Sequence, residues 1–328
     1  MPFTMPEGFA DGDYPTSWTG FIGQQRAKDQ IRLAAQSAKA RKQPMDHILI
    51  ASGTPGIGKT SLGLLAARTM GRKVIVVTGP VPATRAYGLL AKLDDRDVLF
   101  IDEAHKLVEG GKKHAEWLLH YLQDGVLLGA PACRDEYPYS RYTPVAPRVT
   151  VIAATTEPGR LPTTLTGRFP VRPTLNDYTP DEGAKIAAQL ARKVMAGLPP
   201  PTTANAHAIA RAANSNPRAI RQILVTIRDM TVTGRLPHRP RTGYDIPAIL
   251  DWHGITPDGL DHTAQQYLKT LARDFDGKAG QKAIEDRLQE PGGLADTERV
   301  LLDQHLITKT NTGRAITMAG AIRAREIA

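Results

Sequence analysis

SGTPGIGKTS, Ser52 to Ser61, is the stretch from which the rest of the chain can be read. An apolar run, HILIA from His47, precedes it, and a helix-forming run begins at Lys59. Strand, glycine loop and helix in that order make a phosphate-binding loop. Gly53, Gly56 and Gly58 are expected to turn backbone N–H groups inward around phosphate oxygens, with the positive end of the following helix aimed at the same anion. Lys59 would then reach the β and γ phosphates, and the Thr60 hydroxyl would ligate Mg²⁺.

A second signal lies at DRDVLFIDEAHKL, Asp95 to Leu107. VLFI is a continuous apolar run of the kind buried on both faces of a parallel sheet. It ends in two carboxylates. Asp102 suits a direct or water-mediated hold on Mg²⁺, and Glu103 suits the general base that orients and deprotonates an attacking water.

Composition bounds the rest. The chain has 328 residues, 41% hydrophobic and only 5% aromatic, enough for two or three domains of an Ala/Leu/Ile/Val-rich α/β type. A single cysteine, Cys133, excludes an internal disulfide and fits a reducing cytoplasm. No apolar run approaches bilayer-spanning length, and the start, MPFTMPEGFADGDYP, lacks the basic and apolar regions of a secretion signal. The formal charge of +9 points to an anionic partner. Lys plus Arg minus Asp plus Glu gives 22 − 16 = +6 for residues 1–176, 10 − 5 = +5 for 177–245 and 10 − 12 = −2 for 246–328. Within the last third, His305 to Arg325 nevertheless holds Lys309, Arg314, Arg323 and Arg325 and no acid, a local basic strip.

The pattern along the chain predicts an irregular arm to Ser17, a helix over 23–42, strands at 47–51, 73–78, 98–102 and 149–156, and a helix at 114–125 closed by Gly125. Alternating helices and continuous apolar strands imply a parallel, doubly wound sheet with its ligand at the strands' carboxyl ends. The Pro/Tyr-rich stretch 129–147 reads as an inserted loop or hairpin available to a partner or to nucleic acid. Arg168, between a short helical stretch and an extended run, reads as solvent-facing and unpaired, suited to donation into a neighbouring subunit's site. In NSNPRAIRQI, Asn216 is placed as N-cap and Pro217 at the first helical position, which puts Arg218 on the first turn. A cation there opposes the helix dipole and is easier to understand if an anion binds.

These motifs, with FIGQQ at 21–25, AATTEPG at 153–159, LTGRF at 165–169, GLDHTAQQYLKTLARDFDGKAG at 259–280 and LADTERVLLDQHLITKTNTGRAIT at 294–317, resemble the RuvB family of AAA+ ATPases over nearly the whole chain. The resemblance implies that Gly53, Pro55, Gly56, Gly58, Lys59, Thr60 and Ser61 hold ATP, with Ile22 and Gly23 against the adenine. It implies that Thr60 and Asp102 bind Mg²⁺, that Glu103 is the base, and that Thr155 or Thr156 is the sensor of the γ-phosphate. Arg168 would be the finger acting in trans, and Arg218 the second sensor.

It also implies three domains: a large ATPase domain over 1–176, a small helical lid over 177–245 and a winged helix over 246–328. The residues agree with the last of these, since helices near 262–274, 278–288 and 295–304 precede two β-prone runs, HLITKT and GRAIT. Such a wing, through Lys309 and Arg314, would hold the DNA backbone without reading its sequence.

The implied protein is a hexameric ring, cytoplasmic, driving branch migration on four-way or duplex DNA beside a RuvA-like partner. The hairpin that would dock this partner corresponds to 129–147, whose content does not match the family's. Two further departures are Glu157, where the family usually has arginine, and Ser215-Asn216, where it usually has glycine and threonine. A clamp-loader or helicase-loader ATPase would share the core motifs but end in a helical collar. A protein-threading remodeller would carry an aromatic pore loop, to which Tyr87-Gly88 comes nearest.

Overall fold

The computed structural model describes residues 14–109, 115–126, 147–290 and 293–327. The inserted stretch 129–147 and the arm before residue 14 therefore lie almost wholly outside the described residues. The chain divides into two compact units, Met1–Asp177 and Tyr178–Ala328.

In the first unit, α1 (Gln25–Arg41) precedes β1 (Ile48–Ala51), α2 (Lys59–Met70), β2 (Val74–Thr78), α3 (Ala83–Leu90) and β3 (Val98–Asp102), then α4 (Glu116–Asp124), β4 (Thr150–Thr155) and a short α5 (Thr163–Thr166). The strands form one parallel sheet in the order β1-β4-β3-β2. Residues beyond α5 extend it on the far side of β1, where Ile48 bridges Val171 and Ala51 bridges Thr174. Nonconsecutive strands become neighbours because each crossover carries a helix across the sheet.

Val98, Leu99, Phe100 and Ile101 are buried completely, as the unbroken apolar run requires. α2 packs very closely here: a Cβ at Gly63 would lie 2.8 Å from the Phe100 ring. Gly125 ends α4 with φ 69°, as the sequence predicts.

His47 stands just before β1, and its Nδ1 accepts the Val151 N–H of β4 at 3.0 Å. Burial pushes this imidazole down from 6.5 to about 4, against a smaller upward pull from Asp46. The unfolded chain therefore binds the extra proton first, and stability contributed by neutral His47 is lost as pH falls from 6.5 towards 4. The full loss is roughly 3 kcal/mol, at about 1.4 kcal/mol for each pKa unit. Urea unfolding at pH 7 and pH 4.5 should show it, and His47→Asn, which keeps an acceptor and cannot titrate, should flatten the difference.

The second unit opens on α6 (Pro180–Val194), whose Thr179 and Glu182 form a reciprocal capping box. α7 (Thr203–Ala212) and α8 (Pro217–Val232) follow, and the three helices share an apolar interior that includes Ala187, Ile209, Ile220, Leu224 and Ile227. Asn216 caps α8 as expected, accepting from the N–H groups of Arg218 and Ala219. Next come α9 (Ile246–His253), α10 (His262–Arg273), β5 (Lys278–Ala279), α11 (Gln281–Leu288), α12 (Ala295–Asp303), β6 (Ile307–Thr310), β7 (Gly313–Ile316) and α13 (Met318–Glu326).

β5, β7 and β6 make a small antiparallel sheet. The sequence reading runs the helix from 278; instead Lys278 and Ala279 pair with β7 and the helix starts at Gln281. Gly313 permits that pairing, because a Cβ there would sit 2.2 Å from the Ala279 carbonyl oxygen. A two-residue strand carries no period to detect.

Arg314 corrects the sequence reading more seriously. Its Nε and Nη2 donate to Glu298 Oε2 at 2.9 and 2.7 Å, and Nη2 also donates to Gln281. Glu298 is 5% exposed and accepts from Tyr267 through its other oxygen at 2.9 Å. Burial, and then the Glu298 charge, push the Tyr267 phenol well above its ordinary range. Arg314 is therefore the counter-ion of a buried carboxylate and not a free phosphate ligand.

Arg314→Ala should cost about 3 kcal/mol in urea unfolding, since removing one partner strands the other charge. Arg323 is likewise committed to Asp258 and Glu326. Of the basic strip, Lys309 and Arg325 are the exposed members.

Candidate ATPase centre

Parallel pairing brings the chemistry to one edge. Ala51 lies opposite Thr155, and Ile101 opposite Ala153, so the ends of β1, β3 and β4 emerge side by side. The loop after β1 turns with Gly56 at φ 74° and Gly58 at φ 108°, conformations that only glycine adopts freely. Gly53 differs from the expectation. Its φ is outside the left-handed region and a Cβ would meet nothing within 4 Å, so the protein fold alone does not demand glycine there.

Lys59, 6% exposed, donates to the Thr54 carbonyl oxygen at 2.8 Å. Pro55, Thr60 and Ser61 are partly exposed along the loop and the first turn of α2. Asn176 and Asp177 stitch two segments together: Gln24 exchanges hydrogen bonds with Asn176, while Thr54 donates to Asp177 at 2.7 Å. The segment carrying Ile22 and Gly23 is thereby held beside the loop.

Thr60 donates to Asp102 Oδ2 at 2.9 Å, and the Glu103 N–H donates to Oδ1 at 3.1 Å. Burial is the main influence on Asp102 and pushes its carboxyl above the ordinary range, against the hydrogen bonds and the nearby Lys59. A hydroxyl and a half-buried carboxylate in contact form a hard-oxygen pair that fits Mg²⁺ completed by phosphate and water.

Glu103 sits at φ 51° and ψ 52°, left-handed for a residue with a Cβ. Such a conformation costs about 1–3 kcal/mol and persists where the surroundings hold it. The Thr156 hydroxyl donates to Glu103 Oε2 at 3.0 Å, whereas the completely buried Thr155 lies against His105 Nδ1 at 3.2 Å. Of the two threonines, Thr156 thus meets Glu103.

His105 is a residue the sequence reading passed over. Nδ1 lies 3.4 Å from Glu103 Oε2, and Nε2 lies 3.3 Å from Glu157 Oε1. A lone histidine two residues beyond an acidic pair was the available signal.

Arg168 also departs from expectation. It is half-buried, with Nη1 donating to the Thr164 carbonyl oxygen at 2.7 Å and Nη2 to Gln123 Oε1. Its Nε is buried with no hydrogen-bond partner among the described residues. Arg218 is exposed on the first turn of α8, in the second unit.

Two family models match the chain: the Holliday junction DNA helicase RuvB P-loop domain over residues 14–175, and the RuvB C-terminal winged helix domain over 257–323. The chain is also 32% identical over 326 residues to the Holliday junction branch migration complex subunit RuvB of Rubrobacter xylanophilus, spanning 95% of this chain and 87% of that one. The chain belongs to the RuvB family.

A second RuvB, from Kosmotoga olearia, is 33% identical over 310 residues, 90% of this chain and 85% of its own. Among solved structures, the RuvB Holliday junction branch migration motor of Thermotoga maritima is similar with a TM-score of 0.78 at 28% identity, covering 95% of this chain and 97% of that one. A variant of the same protein gives 0.80 at 28% identity, with 95% and 98% covered. RuvB membership makes the first unit a P-loop nucleotide-binding domain of the AAA+ class, and the sheet of β5, β6 and β7 with its helices a winged helix. It also removes the helical-collar alternative. Among the described residues no helix is long and apolar enough to cross a membrane.

Proposed function

We propose that this chain is the ATP-driven motor subunit of a branch-migration machine acting on four-way DNA. The observation that carries the reading is the meeting of loop, metal pair and base at one sheet edge: Thr60 touches Asp102, and Thr156 touches Glu103. Lys59 and the loop amides would hold the phosphates, and Thr60 with Asp102 would hold Mg²⁺, which when bound offsets charge on the β and γ phosphates. Thr156 fixes one oxygen of Glu103, so that the other is the one to take the proton of the attacking water.

Arg168 would leave Gln123 and Thr164 to reach a neighbouring protomer's γ-phosphate, and its Nε, without a partner among the described residues, makes the folded-back position easier to abandon. Arg218 would close on the nucleotide from a lid formed by residues 177–245, moving a wing domain over 246–328 along DNA. Lys309 is the wing cation left for phosphate, and few such contacts predict weak, salt-sensitive, sequence-independent binding. A cytoplasmic hexameric ring and a RuvA-like loading partner complete the reading.

Its test is ATP turnover with four-way, forked and linear duplex DNA, together with strand exchange on a labelled four-way junction. Turnover stimulated most by the junction, with ATP-dependent branch movement, is expected. Turnover indifferent to DNA, or a junction that stays in place, would count against the motor reading.

A further inference from the structure

The ends of β3 and β4 are tied by a set of groups that the hydrolytic scheme above leaves unused. The Glu157 N–H donates to Thr155 Oγ1 at 3.0 Å, Thr155 Oγ1 meets His105 Nδ1 at 3.2 Å, and His105 Nε2 faces Glu157 Oε1 at 3.3 Å. The set closes on itself, because Glu157 supplies both its first donor and the carboxylate that faces Nε2.

Each ring nitrogen has a carboxylate within 3.4 Å, but Nδ1 also has the Thr155 hydroxyl, which can donate to it, whereas among the described residues Nε2 meets only the acceptor Glu157. A neutral imidazole is therefore satisfied with its one proton on Nε2. Nδ1 is then an acceptor, and the Thr155 hydroxyl has its proton to give there. Glu157 is itself held, since Arg160 Nη1 lies 3.3 Å from its other oxygen. His105 is 5% exposed, so the ring is enclosed by the protein.

The arrangement matters because of what lies on the Nδ1 side. Glu103 Oε2 is 3.4 Å from Nδ1, on a residue whose backbone is already in the left-handed region. With the proton on Nε2, the ring has nothing to donate to the base. With the proton on Nδ1, it would present a second donor to the Glu103 oxygen that already accepts from Thr156, and so compete with an attacking water for that carboxylate.

We propose that Glu157 is a positioning residue that keeps the His105 proton on Nε2 and so leaves Glu103 free to act as general base. The inference rests on the ATPase reading for its consequence, but not for its geometry. Among the described residues, the charged groups facing the ring are Glu103 and Glu157, with Arg160 reaching it only through Glu157.

The test has two readouts on the full chain. ¹⁵N-histidine NMR should give His105, assigned by its loss in His105→Met, as the Nε2–H form, and Glu157→Ala should move the signal towards the Nδ1–H form. In parallel, Glu157→Ala should lower kcat for ATP about tenfold with nucleotide affinity unchanged, measured with a fluorescent ATP analogue, while Glu157→Gln, which still accepts, stays within twofold.

The double variant Glu157→Ala/His105→Met should be faster than Glu157→Ala alone, because the misplaced donor has gone. A purely structural tie would instead leave the double variant about as slow as Glu157→Ala, because the tie is already broken in the single variant. An unchanged tautomer in Glu157→Ala, or a double variant no faster than the single one, overturns the proposal. If the wild-type chain hydrolyses no ATP but the tautomer moves as described, it is the ATPase reading that fails and the hydrogen-bond assignment stands.

Discussion

Arg168→Ala is expected to lower the ATPase rate of the assembled protein by about 10³- to 10⁵-fold, the range found when an arginine finger is removed. The loss should fall on kcat, because the guanidinium meets charge that develops on the transferring phosphoryl group and not charge already present in the ground state. Within a single chain Arg168 is turned towards Gln123 and Thr164, so in this position it is not offered to the chain's own loop. Mixing distinguishes a trans role from a structural one. Arg168→Ala protomers keep the Lys59 cradle, Lys59→Ala protomers keep the arginine, and in an equal mixture roughly a quarter of interfaces would combine the intact halves. Activity well above either parent is the expected result. Silence in the mixture, with co-assembly demonstrated by pull-down of one tagged variant, would falsify the trans assignment.

Glu103→Gln is expected to cut turnover by about 10²- to 10⁴-fold while leaving nucleotide binding close to wild type. Glutamine keeps the size of the side chain and can still accept from the Thr156 hydroxyl, but it cannot take a proton from water. The substitution therefore removes the chemistry and spares the scaffold. Single-turnover measurements on preloaded protein should show the nucleotide retained and uncleaved. A rate within fivefold of wild type would move the base elsewhere, and the strained backbone at Glu103 would need another explanation.

Most of the architecture was readable along the chain. The strands at 48–51, 74–78, 98–102 and 150–155 sit within a residue or so of their expected bounds, because fully buried parallel strands leave unbroken apolar runs. The caps at Asn216 and Gly125 were readable for the same reason: cap chemistry is local. The two-residue strand Lys278–Ala279 was not, since its only reason to be extended is β7, more than thirty residues later.

Within the site, the loop, Lys59, Thr60, Asp102 and Glu103 declared themselves by sequence because their chemistry requires short fixed spacings. Which side chains meet was a different matter. The choice of Thr156 over Thr155 as the partner of Glu103, the enclosure of His105 between Glu103 and Glu157, the commitment of Arg314 to Glu298, and the turning of Arg168 onto Gln123 all join residues from 2 to 53 positions apart. Sequence by itself determined the P-loop class, the parallel sheet and the residue types at the carboxyl ends of its strands, because helix, strand and turn signals act over a few residues. Only tertiary structure decided which charges are free and which are neutralised, because the energy of a charge depends on the partner and the burial that folding brings to it.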